Sequence, residues 1–357
     1  MKSYNHLWEQ LITDSNIELA IHNASLGKRD RDSVKSRLED PLFKHKVKYY
    51  ATHFRNRHHV PKEIYDGIQR KKRTIIVPTF EEQVVHHMVV NVLKPIFMHG
   101  MYEHSYGSIP GRGSHKGKKS IEKWIRKDPK NCKYVLKMDI RKYFDSIPHE
   151  ILIRKLRLII HDERFMNILE EIIGVIPNGI PLGFYTSQWF ANWYLQELDH
   201  YIKEKLGAKY YIRYMDDMVI FDSSKKRLHR MRRTIEDYLL YSLGLTLKDN
   251  WQVFRFDFFG EYRFLDFMGF RFYRTRTTLR KSIMLKMTRK AKHIFKKGEI
   301  NAYESRQMLS YLGWIKHTNS YSMYLDHIKP LISFQELKNT IGNYDREKNR
   351  RLTYGLV

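Results

Sequence analysis

Residues 209–222 read KYYIRYMDDMVIFD. Apolar and β-favouring residues flank Asp216 and Asp217 on both sides, so the stretch predicts a β-hairpin with two carboxylates at its tip. A turn alone would also account for aspartates there, because their side chains bond the local backbone. A third acid narrows the reading. The segment KYVLKMD, residues 133–139, predicts a strand that ends on Asp139. Three carboxylates brought together repel one another unless cations lie among them. Magnesium prefers oxygen ligands and leaves part of its shell to substrate phosphates. Two such ions stabilise both the attacking and the leaving oxygen of a phosphoryl transfer.

Working outward, LWEQLI (7–12) and EIYDGIQR (63–70) have helical spacing, with SLGKRDRDS (25–33) a basic loop between them. KKRTIIVPTF (71–80) predicts a short strand ending at Pro78. EEQVVHHMVVNVLKPIF (81–97) predicts an amphipathic helix stopped near Pro95, since proline cannot continue the hydrogen-bond ladder. Residues 104–120 read as a Gly- and Lys-rich loop. PHEILIRKLRLII (148–160) and MNILEEIIGVI (166–176) are helical, and RRTIEDYLLYSLG (232–244) is a helix closed by Gly244. EYRFLDFMGFRFY (261–273) is a third β region. From Lys281 the pattern is helical to about Ile341. Strands and helices interleave without a strict βαβ period, which points to an α+β fold, an antiparallel sheet with helices on one face.

The charge is lopsided. There are 65 Lys and Arg against 39 Asp and Glu, a formal net charge of +26. Such an imbalance self-repels unless a polyanion neutralises it, and nucleic acid is the natural candidate. Cys132 is the only cysteine, which excludes a disulfide framework and a Cys-rich zinc site. The start lacks the apolar run of a signal peptide, and no stretch approaches the length of a membrane span. The expectation is a protein of a reducing cytoplasm, with no membrane partner. GRGSHKGKK (111–119) fails as a P-loop, because five residues rather than four separate Gly111 and Gly117 and Lys119 replaces Ser/Thr. His86 and His87 have no matching ligand cluster and read as structural.

Asp139 with Phe144, then IPLGFYTSQ (180–188), YMDD (214–217) and FLDFMGFRF (264–272), resemble reverse-transcriptase palm motifs in order and rough spacing. KKRTIIVP (71–78), HHMVVNVLKPIF (86–97) and YGSIPGRGSHKG (106–117) resemble the finger motifs. The resemblance implies a right hand, with fingers and palm over 1–280, a helical thumb over 281–342 and a polar tail over 343–357. It implies RNA-directed DNA synthesis with two Mg2+ ions, or Mn2+ in their place. Asp139, Asp216 and Asp217 would be catalytic and, with Ile140, metal-binding. Arg73, Phe144, Leu182, Gly183 and Gln188 would bind the nucleotide. Phe144, five residues after Asp139, would exclude a 2′-hydroxyl, and the Arg73 fork would bind phosphate oxygens. Lys286, Arg289 and Lys290 lie in the acid-free run 281–297, where Ile283, Met287 and Ile294 share the apolar face. They would grip a phosphate backbone. Lys248 follows the YMDD segment in a region that supplies a proton donor in some polymerases, but the nearest matching position holds Trp251. The partners implied are template RNA, RNA–DNA hybrid and dNTPs.

IPLGFYTSQ departs from the commoner pattern, with Leu182-Gly183 for Gln-Gly and Ser187-Gln188 for Ser-Pro. That departure, the Gly27-Lys28-Arg29 loop and NWQVF (250–254) resemble the enzymes of diversity-generating retroelements. Those make cDNA with errors at adenines, alongside a small basic oligomeric accessory protein. Alternatives are a defence-associated or retron-like reverse transcriptase, a group II intron enzyme, which the short sequence after the thumb disfavours, and a non-catalytic RNA-binding protein, which the three acids disfavour.

Overall fold

A computed structural model describes residues 3–55, 59–66, 71–256 and 263–353. Four helices open the chain: α1 (Leu7–Leu11), α2 (Asp14–Ser25), α3 (Asp32–Leu38) and α4 (Phe43–Thr52). A hairpin of β1 (Lys62–Asp66) and β2 (Lys71–Ile75) follows, then α5 (Phe80–Met98), β3 (Ser105–Tyr106), α6 (Ser114–Lys127) and β4 (Tyr134–Asp139). Next come α7 (Tyr143–Ser146), α8 (His149–Arg157), α9 (Glu163–Ile173), α10 (Tyr185–Tyr194) and α11 (Gln196–His200). The acidic hairpin is β5 (Tyr210–Tyr214) and β6 (Asp217–Asp222), followed by α12 (Lys225–Leu243) and β7 (Gln252–Arg255). Short strands β8 (Leu265–Phe267), β9 (Phe270–Phe272) and β10 (Thr277–Leu279) lead to α13 (Lys281–Lys297), α14 (Ala302–Lys316), α15 (Tyr321–His327) and α16 (Phe334–Thr353).

The chain forms two compact units, one from Met1–Gly113 and Tyr134–Val253, the other from Ser114–Lys133 and Phe254–Val357. The first holds the main sheet's strands β3, β5, β6 and β4, neighbours in that order. β4 and β5 both pair antiparallel with β6, while β3 runs parallel to β5, so the expected antiparallel sheet has one parallel pair. Side chains alternate across a strand. Leu136 and Met138 of β4, with Met218 and Ile220 of β6, therefore share one face. They enter the same apolar core as Leu228, Met231, Ile235, Leu239 and Leu243, the buried stripe of α12. Asp139 and Asp217 fall on the opposite face. Gly244 closes α12 in the left-handed conformation (φ 62°).

Three local expectations change. Residues 63–66, read as helical, form β1, because Ile64 and Tyr65 pair across to Arg73 and Lys72; the rest of EIYDGIQR, residues 67–70, lies outside the described residues. A short apolar run cannot by its spacing distinguish strand from helix, and here the partner strand decides. α5 runs through Pro95 to Met98. The proline removes the donor to the Asn91 carbonyl, but burial of Val92, Leu93, Ile96 and Phe97 holds the last turn. Its start matches its sequence, since Thr79 and Glu82 form a capping box. The Gly- and Lys-rich loop is half helix, with α6 beginning at Ser114.

In the second unit β8, β9 and β10 form an antiparallel sheet. Trp314 of α14 packs its ring 5.1 Å from both Phe270 of β9 and His115 of α6. α13 buries Met287, Ala291 and Ile294, and α14 opens with a capping box of Asn301 and Glu304. Arg280 stands at the N-cap position of α13 without a side-chain bond to the helix, and α16 continues as helix past Asn343, where a fraying tail was expected, to Thr353. Residues 257–262 of the aromatic β region lie outside the described residues. No described helix is long and apolar enough to cross a membrane.

Candidate active site

The sheet ladder itself juxtaposes the acids. Asp139, the last residue of β4, pairs in register with Asp217, the first of β6. Tyr214 pairs with Asp217, so Met215 and Asp216 form the two-residue turn. Met215 adopts a left-handed backbone (φ 54°), the conformation a tight hairpin demands, and its N–H donates to the Tyr106 carbonyl at 3.1 Å. Ile140, buried beside Asp139, forms a bridge with Leu247.

The electrostatics are those of crowded acids. Asp216 is pushed up to about 6, first by burial, then by the charge of Asp139 and a hydrogen bond with it, with Lys248 pulling the other way. Lys248 ion-pairs with Asp139, and Lys137 Nζ lies 3.6 Å from Asp217. Asp139 Oδ1 is buried and accepts no hydrogen bond among the described residues. No group of three acids, histidines or cysteines is drawn around one point among those residues. This donor set still fits magnesium, which binds through one or two carboxylates plus substrate phosphates rather than in an all-protein cage. An orphaned carboxylate oxygen beside a second acid that resists ionisation is where a divalent cation relieves the most repulsion.

A buried network under the turn escaped the sequence reading. Arg213, wholly buried in β5, faces the helix side with Met218. Its Nε and Nη2 donate to both carboxylate oxygens of Asp199, at 2.8 and 2.6 Å for the shortest contacts. Nη1 reaches the Met215 carbonyl at 2.9 Å, and Nη2 the Asn192 carbonyl at 3.1 Å. The Tyr211 hydroxyl donates to Asp199 at 2.7 Å, and Asn192 Nδ2 donates to Gly107 at 3.1 Å. Burial opposes the charge on Arg213, but Asp199 outweighs it and holds the guanidinium above its ordinary pKa. The available signal was the arginine in YYIRY, at an inward position of an otherwise apolar strand.

Close backbone approaches bring in the nucleotide-binding candidates. Phe144, half-buried, accepts at its carbonyl from Ile180 N at 2.7 Å. A Cβ on Gly179 (φ 76°) would stand 2.4 Å from that same carbonyl oxygen. Leu182, also half-buried, accepts at its carbonyl from Ile76 N at 2.7 Å. Gly183 (φ 112°) packs so tightly on Ile76 that a Cβ would come within 2.1 Å of its oxygen. Residues 179–183 thus tie Phe144 to the end of the β1–β2 hairpin. His86 supports this segment, with Nδ1 3.0 Å from Thr186 Oγ1 and its ring 4.4 Å from that of Phe184. Burial lowers His86 to about 3 and His87 to about 4, so both are neutral at physiological pH. Gln188 is exposed on the first turn of α10, and Arg73 is exposed on β2. Lys286 and Arg289 are exposed on α13, but Lys290, expected to face nucleic acid, pairs instead with Glu304 at 3.0 Å.

Residues 60–272, more than half of the chain, match the family described as reverse transcriptase (RNA-dependent DNA polymerase). The chain belongs to the reverse transcriptase family. Its α+β architecture is that of a right-hand polymerase. It is similar to the group II intron-encoded protein LtrA of Lactococcus lactis subsp. cremoris, 27% identical over 143 residues, covering 37% of this chain and 23% of LtrA. It is also similar to the retron Ec73 reverse transcriptase of Escherichia coli, 26% identical over 191 residues, covering 48% of this chain and 58% of that one. The matches thus span under two thirds of these curated relatives. Among solved structures, telomerase from Candida albicans aligns with a TM-score of 0.48 and 13% identity, over 78% of this chain and 56% of that one.

Replacing Arg213 by Met leaves Asp199 buried and uncompensated, at an expected cost of about 3–5 kcal/mol in urea unfolding. Adding Asp199→Leu should recover much of that loss. Primer extension should stay low in the double variant, because the Met215 carbonyl still lacks its donor; wild-type extension there would remove Arg213 from any role at the turn.

Proposed function

We propose that the chain is an RNA-directed DNA polymerase of the error-prone, diversity-generating type. The polymerase reading is carried by one observation, the in-register pairing of Asp139 with Asp217 beside the turn that holds Asp216. These three acids, with the Ile140 carbonyl, would hold two Mg2+ ions, for which Mn2+ would substitute. When bound, the ions supply Lewis acidity and charge neutralisation to the primer 3′-hydroxyl and the triphosphate. The 3′-oxygen bonds to the α-phosphorus and pyrophosphate leaves. Arg73 binds triphosphate oxygens through its fork of donors. Phe144 stands under the sugar and excludes a 2′-hydroxyl, while Leu182, Gly183 and Gln188 border the nascent pair. Residues 1–280 serve as fingers and palm, and α13 is the thumb helix, with Lys286 and Arg289 on phosphates. Template RNA, RNA–DNA hybrid and dNTPs are the substrates, a small basic oligomeric protein the accessory partner and the cytoplasm the site of action.

The retroelement reading rests on Leu182 and Gln188. A glutamine at 182 would hydrogen-bond near the nucleotide and fix its geometry, which leucine cannot do, and looser positioning weakens discrimination. The similarity to a retron enzyme favours a retron-like or defence role as the second reading.

Asp216→Asn should lower primer extension by roughly 10²–10³-fold or more while leaving RNA affinity nearly unchanged. Extension at the wild-type rate would overturn the metal assignment. Phe144→Ala should raise the ratio of ribo- to deoxynucleotide incorporation by about tenfold, equivalent to about 1.4 kcal/mol; an unchanged ratio in an active variant removes Phe144 from the gate. Leu182→Gln should cut misincorporation opposite template adenine roughly fivefold, for a gain of about 1 kcal/mol in discrimination. Sequencing the cDNA made by both enzymes decides this. Accurate copying of adenines by the wild type would sink the retroelement reading and leave the polymerase reading standing.

A further inference from the structure

α12 carries its charge in an unusual place. Lys225, Lys226, Arg230 and Arg233 crowd its first three turns, and all four are exposed. None has an ion-pair or hydrogen-bond partner for its side chain among the described residues. The neighbouring cations of the same helix are paired, Arg227 with Asp222 and Arg232 with Glu236. The first turn holds no acid.

This arrangement opposes helix stability in two ways. The N-terminal end of a helix is the positive end of its macrodipole and favours anions. Lys226, Arg230 and Arg233 are also spaced i, i+4 and i, i+3, where like charges repel. They form one stripe on the side away from Leu228, Met231 and Ile235, which are buried against the sheet. Asp237, one turn beyond Arg233, is the acid that ends the stripe, and Tyr241 follows with 81% of its surface exposed. Several other cations of this unit are matched by acids, as Lys44 is by Asp14 and Glu18, and Arg157 by Glu163 and Glu170.

The stripe also has a definite location. α12 covers the sheet face that carries Leu136, Met138, Met218 and Ile220, whereas Asp139 and Asp217 lie on the other face. A sheet and a helix therefore separate the stripe from the acids. A primer–template duplex seated on the acids would lie on the other side of the sheet from it.

We propose that the outer face of α12 is a second RNA-binding surface, one that grips the phosphate backbone of a folded RNA segment lying outside the primer–template duplex. The partner is RNA because unpaired cations in a row match a phosphate backbone, which releases counterions wherever a phosphate is neutralised. A substrate strand continuing past the primed segment would bring such phosphates to the rear of the same molecule. The occupant rests on the polymerase reading above; the surface itself does not.

The test compares wild type with Lys226→Gln/Arg230→Gln/Arg233→Gln on two probes. One is a short blunt RNA–DNA primer–template, and the other a long RNA with stable hairpins beyond the primed segment. Extension of the short duplex should be unchanged. Affinity for the long RNA should fall, and the slope of log affinity against log salt should flatten by about two, at roughly 0.7 to 0.9 for each phosphate no longer neutralised. The melting temperature of the free variant should equal or exceed that of the wild type, since repulsion has been removed. Three results would overturn the proposal: the same affinity and slope on the long RNA, abolished extension on the short duplex in a folded variant, or weakened binding of polyglutamate with RNA binding intact. Running the binding assay in an Asp216→Asn background separates the two readings. A stripe effect that persists there, with no extension by the wild type, would sink the polymerase reading alone.

Discussion

The ion pair between Arg213 and Asp199 is the constraint on which the acidic turn depends. Both side chains are wholly buried, so the protein bears the desolvation cost of two charges to keep them. A hydrophobic pair of similar volume would often be as stable. What it could not supply is a donor to the Met215 carbonyl, which Arg213 reaches two residues along its own chain. Through that contact, and through Asn192 and Gly107, the helix layer sets where a left-handed turn sits. Asp216, at that turn, is a carboxyl whose ionisation is already hindered by burial and by Asp139.

Beyond the turn, the site is assembled by backbone contacts too close for side chains. Gly179 rests against Phe144, and Gly183 rests against Ile76. Both have positive φ, so each answers a conformational and a steric demand together. The result is a chain of contacts from Phe144 of α7, through residues 179–183, to the end of the β1–β2 hairpin. Neutral His86 and Phe184 pack behind it. Segments distant in sequence, such as those of Ile76 and Leu182, are therefore held as one piece.

Charge is apportioned rather than spread evenly. The two lysines near the acids, Lys137 and Lys248, stand beside carboxylates, and many cations of the N-terminal helices are paired. Much of the excess behind the net charge of +26 lies on α12 and on the exposed side of α13. Lys290 is the instructive exception on α13: Arg289 beside it is exposed, yet Glu304 of the next helix claims Lys290.

The acidic hairpin, the strand ending on Asp139 and most long helices were legible in the sequence, because each follows from local periodicity, caps and turn residues. Order and spacing of the motifs carried the family as well. What local patterns could not determine were the elements that depend on a distant partner. Residues 63–66 became a strand only because β2 lies beside them, and α5 passes Pro95 because the core buries its last turn. The same holds for function. The types of residue named three acids, but only the register of β4 on β6 put Asp139 opposite Asp217. An arginine inside an apolar strand stood unexplained until Asp199, on another element, met it. Sequence by itself determined which groups the chain carries and which segments fold locally. Tertiary structure alone decided which charges meet and which stay unanswered, because burial and long-range pairing depend on contacts between elements that no local pattern contains.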